Sequence, residues 1–148
     1  KKAKYFIAVN KLSIDRAAAV SELEALAGSG DEVGKLAKFA LAQAKASEGK
    51  FDEAAALYGE LAAMDDPVVS KDTVNFELAQ IYQKQGKTQE AQDLYYQIAK
   101  TASEAKDADG KAIPMTQTAR EAKSKLEELN PERAKEIQEP APESPFGL

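Results

Sequence analysis

Three stretches of this chain carry side chains of the kind that do chemistry. Gly86-Lys87-Thr88 imitates the end of a phosphate-binding loop. Such a loop needs another glycine five residues upstream, and Ile81 stands there. It also follows a strand, whereas Gly86 lies between two helical runs. Asp107-Ala108-Asp109-Gly110 imitates part of a calcium loop, but the first ligand position falls on Ala105, which has no ligand atom, and the last on Thr116, which cannot supply the bidentate carboxylate needed there. Asp65-Asp66 could serve as a catalytic acid pair. Adjacent acids at a helix end face solvent, and nothing around them suggests the burial that would raise a pKa. The charges at Glu121, Lys123, Lys125, Glu127 and Glu128 are the polar back of a helix and serve solubility.

Composition closes most other routes to chemistry. The chain of 148 residues has no histidine, cysteine or tryptophan. That excludes Ser-His and Cys-His nucleophiles, imidazole metal sites, disulfides and zinc-thiolate clusters. No enzymatic activity and no cofactor or metal is expected, because no recognisable constellation is present. The net charge is −5, and no basic stripe for nucleic acid is visible. No apolar run approaches the roughly 20 residues needed to span a bilayer. The first residues, Lys1-Lys2-Ala3-Lys4-Tyr5-Phe6, have mid-helix character and no initiator Met. They read as a fragment or a mature form, with an upstream anchor or targeting segment to be expected.

Residues 39–62 and 76–99 are one element written twice, offset by 37, with 11 identities in 24 ungapped positions. A copied unit of that size cannot bury its own apolar face and must stack on a neighbour. In the second copy Phe76, Leu78, Ala79, Ile81 and Tyr82, then Ala91, Leu94, Tyr95 and Ile98, recur at helical spacing. Gly49 and Gly86 divide the two runs of each copy. A glycine just past a helix end supplies the left-handed residue of a tight helix-to-helix turn.

The pattern predicts paired helices over 31–47 and 51–64, then 71–85 and 88–104, with Asp31, Ser70 and Thr88 as N-caps. Residues 101–113 read as a long connection. Pro114 suits the first turn of a last helix over 114–130, whose Met115, Ala119, Ala122, Leu126 and Leu129 form one apolar stripe. Residues 2–28 read as a degraded first unit, since Ile14–Val20 aligns with Phe51–Leu57 at the same offset. The fold class is all-α, an α-solenoid of about three antiparallel helical hairpins plus a C-terminal capping helix. This repeat domain covers 1–130. Residues 131–148 read as a short helix and a flexible tail holding Pro140, Pro142 and Pro145.

These residues resemble the tetratricopeptide repeat (TPR) family. The second unit supplies Leu78, Ala79, Tyr82, Gly86, Ala91 and Tyr95, and the first supplies Leu41, Ala42, Gly49, Phe51, Ala54, Tyr58 and Pro67. Lys45 and Thr88 depart from it, each standing where an aromatic is usual. The resemblance covers 31–104 and, more loosely, 2–28. A looser likeness connects the short, acidic, alanine-rich array to bacterial envelope members of the family, often membrane-anchored upstream.

The resemblance implies that the first helix of each hairpin lines a concave groove. By that register Leu36, Phe39, Gln43 and Ser47 line it in one unit, and Thr73, Phe76, Gln80, Gln83 and Lys84 in the next. Arg120 and Lys123 extend it on the last helix. Phe39 and Phe76 have two readings, as anchors for a partner's apolar side chain or as core residues between stacked units. The phenylalanines and glutamines also stand where co-chaperone members of the family place a carboxylate clamp, so a clamp of that type is not expected.

The expected function is a scaffold that holds a protein or peptide in this groove, within a bacterial envelope assembly, periplasmic or membrane-anchored. No nucleic acid or small-molecule substrate is expected, and membrane contact only through an upstream anchor. The alternative is a self-association module of a larger membrane-anchored protein.

Overall fold

A computed structural model describes residues 1–141 of the chain. Among the described residues it is all-helical, with α1 (Lys2–Lys11), α2 (Arg16–Ala27), α3 (Glu32–Ser47), α4 (Phe51–Ala62), α5 (Lys71–Lys84), α6 (Thr88–Glu104), α7 (Gln117–Leu129) and α8 (Pro131–Ala134). Each helix packs on its neighbours in sequence. Two skip-one contacts add to this, α1 on α3 and α5 on α7.

The helix starts follow the short polar side chains. The Asp31 carboxylate accepts the Gly34 amide at 2.9 Å to open α3, and the Ser70 hydroxyl accepts the Thr73 amide at 3.2 Å to open α5. Gly34 is fixed by space. A Cβ there would lie 1.8 Å from the Ser29 carbonyl oxygen.

The α3–α4 and α5–α6 turns are the same device. Gly49 has φ 77° and Gly86 has φ 75°. In the first, the Lys50 amide donates to the Lys45 carbonyl at 2.9 Å and the Gly49 amide to Ala46 at 3.0 Å. In the second, the Lys87 amide donates to Tyr82 at 2.8 Å and the Gly86 amide to Gln83 at 3.0 Å. Crossed bonds of this kind satisfy carbonyls that a helix end otherwise leaves bare.

Two helix starts differ from expectation. Thr88 is not an N-cap. Lys87 occupies that place without a side-chain bond, because the glycine turn hands the chain to α6 one residue earlier. The last helix starts at Gln117, not Pro114, because the Thr116 hydroxyl accepts the Ala119 amide at 3.2 Å and makes Thr116 the cap. The preceding connection is ordered by its own bonds. Lys106 and Ala112 form an antiparallel bridge, and the Asp107 carboxylate accepts the amides of Asp109 and Lys111, both at 2.9 Å. That carboxylate closes a turn around Gly110.

Small residues set the helix spacing. Ala42, Ala54, Ala79 and Ala91 are fully buried, so α3 and α4, like α5 and α6, approach closely. The buried apolar residues form three clusters. One joins Ala8 and Leu23 to Ala37, Ala40 and Leu41. The next joins Ala42, Ala54, Tyr58 and Leu61 to Val74, Leu78 and Ile81. The last runs from Phe76, Ala79 and Tyr95 to Met115, Ala119, Ala122, Leu126, Ala134 and Ile137. Leu57 touches the first two, and Tyr82 and Leu94 touch the last two.

Residues 2–28 form α1 and α2, joined by a four-residue turn without a glycine. Beyond α8, Ile137 is buried and Glu139 bonds Lys123 at 3.1 Å, so the chain there lies against α7. The expected tail from Gln138 falls mostly outside the described residues. No helix among them is long and apolar enough to cross a membrane.

Candidate functional site

The free faces of α3 and α5 are set by which residues their partners bury. On α5, Val74, Leu78 and Ile81 turn toward α3 and α4, and Phe76 and Ala79 turn toward α6 and α7. Helical spacing leaves Thr73, Glu77, Gln80 and Lys84 together on a third face, at i, i+4, i+7 and i+11. Gln80, Gln83 and Lys84 line an open depression of about 410 Å³, closed on its far side by Lys125 of α7.

The two phenylalanines take the core role. Phe76 is buried, and its ring meets Tyr95 edge-on with centroids 5.5 Å apart. Phe39 is partly buried and meets Tyr58 in the same way at 5.7 Å. Each is covered by its own hairpin's tyrosine and by the next inner helix, Phe39 in a cluster with α5 residues and Phe76 in one with α7 residues. An edge-to-face pair of this kind adds about 0.5–1.5 kcal/mol beyond area burial.

The other expected groove residues divide. Gln43 is exposed and Leu36 partly so. The Ser47 hydroxyl donates to the Ala44 carbonyl at 2.8 Å and accepts from Arg16 of α2, which draws it toward α2. Thr73 sits in the α5 cap, its hydroxyl sharing a 2.8 Å bond with Ser70. Arg120 and Lys123 do not join the depression. Arg120 donates to the Met115 carbonyl at 2.6 Å, and Lys123 pairs with Glu127 and Glu139 at 3.6 and 3.1 Å. The repeat register does not extend into α7, so spacing in the second copy could not select Lys125.

The depression's charges are largely engaged. Lys84 lies over the Phe51 ring, 5.6 Å from its centroid. Lys125 pairs with Glu128 at 3.1 Å. The Gln83 side-chain oxygen accepts the Tyr95 hydroxyl at 2.6 Å.

Two further groups bear on this part of the chain, and of them Glu77 was not singled out from sequence. Glu77 is half-buried, and among the described residues no ion pair or side-chain hydrogen bond reaches it. Burial pushes its carboxyl above the ordinary range, with Lys84 opposing. The Tyr58 hydroxyl is fully buried without a hydrogen-bond partner. Burial and then the charge of Glu77 push that phenol up, and burial, Glu128 and Glu77 do the same to Tyr95. Glu77 stands where the first copy has Ala40, and spacing alone does not mark it.

Lys45, the departure from the aromatic pattern, is nearly buried. Its ammonium bonds Glu24 of α2 at 3.2 Å and Glu53 of α4 at 2.9 Å. A cationic clamp thus fills the place that Tyr82 fills in the second copy, and the bonds to Glu53 and Glu24 raise its pKa.

A larger hollow, about 540 Å³, lies between α1 and α2 and is lined by Lys4, Ile7, Lys11, Glu22, Ala25 and Leu26. Comparison with known proteins finds no family model, no curated protein and no solved structure that this chain matches.

Proposed function

We propose that the chain is a TPR-like α-solenoid that works as a protein-interaction scaffold, holding a peptide or protein surface against the inner faces of α3, α5 and α7. The observation that carries the reading is the depression formed by Gln80, Gln83 and Lys84 with Lys125. Side-chain amides there can bond the backbone of an extended peptide, and a preformed site limits the ordering cost of binding. The duplicated glycine turns and duplicated Phe-Tyr stacks support the solenoid. The absence of histidine and cysteine from the whole chain supports a binding role over a catalytic one.

The test uses arrayed short peptides with the folded chain. Gln80→Ala and Lys125→Ala should each weaken binding about 5- to 10-fold, a loss of roughly 1–1.5 kcal/mol, with helical circular dichroism unchanged. Binding that ignores every substitution on this face sinks the proposal.

Self-association is the second reading, and one observation favours it. Of the five exposed large apolar side chains among the described residues, Phe6, Ile7 and Ile14 lie within the first 14 positions. Sedimentation over a concentration series separates the readings, since a strict monomer ends this one.

A further inference from the structure

Helix α1 has two apolar faces, and the fold uses one of them. Tyr5, Ala8, Val9 and Leu12 pack toward α2 and α3. Ala3, Phe6, Ile7 and Asn10, at i, i+3, i+4 and i+7, share the opposite face, and all four are exposed. Ile14 follows in the turn to α2. Phe6 is 61% exposed, Ile7 52% and Ile14 86%, so these side chains project from the surface. The other exposed large apolar side chains among the described residues, Val68 and Ile113, stand singly in connections.

Charge indicates what covers this face. Residues 1–16 carry five basic side chains and one acid, in a chain whose net charge is −5. The acids nearest in sequence are all engaged. Asp15 accepts the Ala18 amide at 3.2 Å, Glu22 pairs with Lys11, Glu24 with Lys45 at 3.2 Å, and Asp31 with Lys1 at 2.7 Å. Lys2 and Lys4 have no ion pair or side-chain hydrogen bond among the described residues. Helical spacing puts Lys2 on one side of the apolar line and Lys4 on the other.

A second copy suits this face poorly, because two α1 helices in contact bring lysines together with no α1 acid to answer them. A projecting ridge also needs a surface that yields, and a fluid lipid boundary yields where a close-packed protein face does not. Apolar side chains flanked by lysines are what an interfacial helix presents. The side chains enter the headgroup boundary, and the lysine stems carry their ammoniums out to the phosphates.

We propose that α1 docks the chain on an anionic lipid surface, with Phe6, Ile7 and Ile14 in the interface and Lys2 and Lys4 on headgroup phosphates. At 10 residues α1 is too short to cross a bilayer, so the contact is with the surface. The rest of the chain carries the acidic excess, and its repulsion from the same surface turns α1 toward the lipid. The contact is made by α1 itself rather than by an upstream anchor, and it does not depend on the groove.

The experiment floats the whole chain with vesicles of phosphatidylcholine alone or mixed with phosphatidylglycerol. The mixed vesicles should carry the protein up, and the neutral ones should leave most of it behind. Lys2→Gln combined with Lys4→Gln should weaken binding to mixed vesicles about 30-fold, the scale of two lysines at an anionic surface. Phe6→Ser combined with Ile7→Ser should weaken it at least as much. Circular dichroism first checks that each variant is folded. The chain has no tryptophan, so Phe6→Trp gives a single reporter whose emission should shift to the blue on mixed vesicles. Ile113→Trp, in the α6–α7 connection, should not shift, and Gln80→Ala should float like wild type.

No flotation with mixed vesicles, equal flotation with both kinds, or unshifted emission from Phe6→Trp overturns the proposal. Sedimentation without lipid adds two outcomes. A dimer that Phe6→Ser with Ile7→Ser dissociates means that a second copy covers this face, and the proposal falls. A strict monomer that floats supports it and ends the self-association reading instead.

Discussion

The helix pairs α3–α4 and α5–α6 share a glycine turn, an edge-on Phe-Tyr stack and fully buried alanines at the helix contact. They part company at the tyrosine hydroxyl. Tyr95 donates to Gln83, but the residue equivalent to Gln83 in the first pair is Ala46, and Tyr58 has nothing to bond. The backbone device and the aromatic stack survive divergence because each depends on two or three residues close in the fold. The hydroxyl's partner was free to vary, because losing it costs only part of the stability of a packed pair. The same freedom put Glu77 where the first pair has Ala40, on the face proposed for binding.

Three perturbations probe the comparison. Phe76→Ala should be the most damaging, about 3–5 kcal/mol in urea denaturation, and Phe39→Ala should cost clearly less because it is only partly buried. Equal losses would mean that the two stacks carry equal weight despite their different cover. Next come Gly49→Ala and Gly86→Ala, each expected to cost about 1–2 kcal/mol for the left-handed backbone. Unequal costs would show that the matching turns bear different loads.

The smallest effect is the most discriminating. Tyr95→Phe should cost about 1 kcal/mol through the lost bond to Gln83, while Tyr58→Phe should be neutral or stabilising by a similar amount. Ala46→Gln should then stabilise the wild type but not the Tyr58→Phe background. A double-mutant cycle by chemical denaturation reads that coupling directly, and zero coupling would break the equivalence of the two sites.

Much of this was legible in the residues. Identities at a fixed offset located the paired helices. A glycine after each first helix located the turns, because few other residues adopt the left-handed backbone there. Asp31 and Ser70 announced their helices by local chemistry alone. Thr88 and Pro114 misled for the same reason, since both are good starters and a nearer device, the glycine turn or Thr116, had already acted. The site was harder to read. Whether Phe39 and Phe76 faced a partner or the core depended on how closely the next inner helix approached, a distance that no spacing encodes. Lys125 and Glu77 depended on who else had been neutralised, which is a property of the assembled surface.

Among the described residues the buried apolar side chains form three pools, with Leu57 shared on one side and Tyr82 and Leu94 on the other. Cooperativity between pools passes through those side chains and through α3 and α5, each of which carries residues of two pools. Trimming them would let one end melt while the other held its shape, so hydrogen exchange would report a graded sequence of openings in place of a single all-or-none event. A chain so divided can yield at one joint without surrendering the rest.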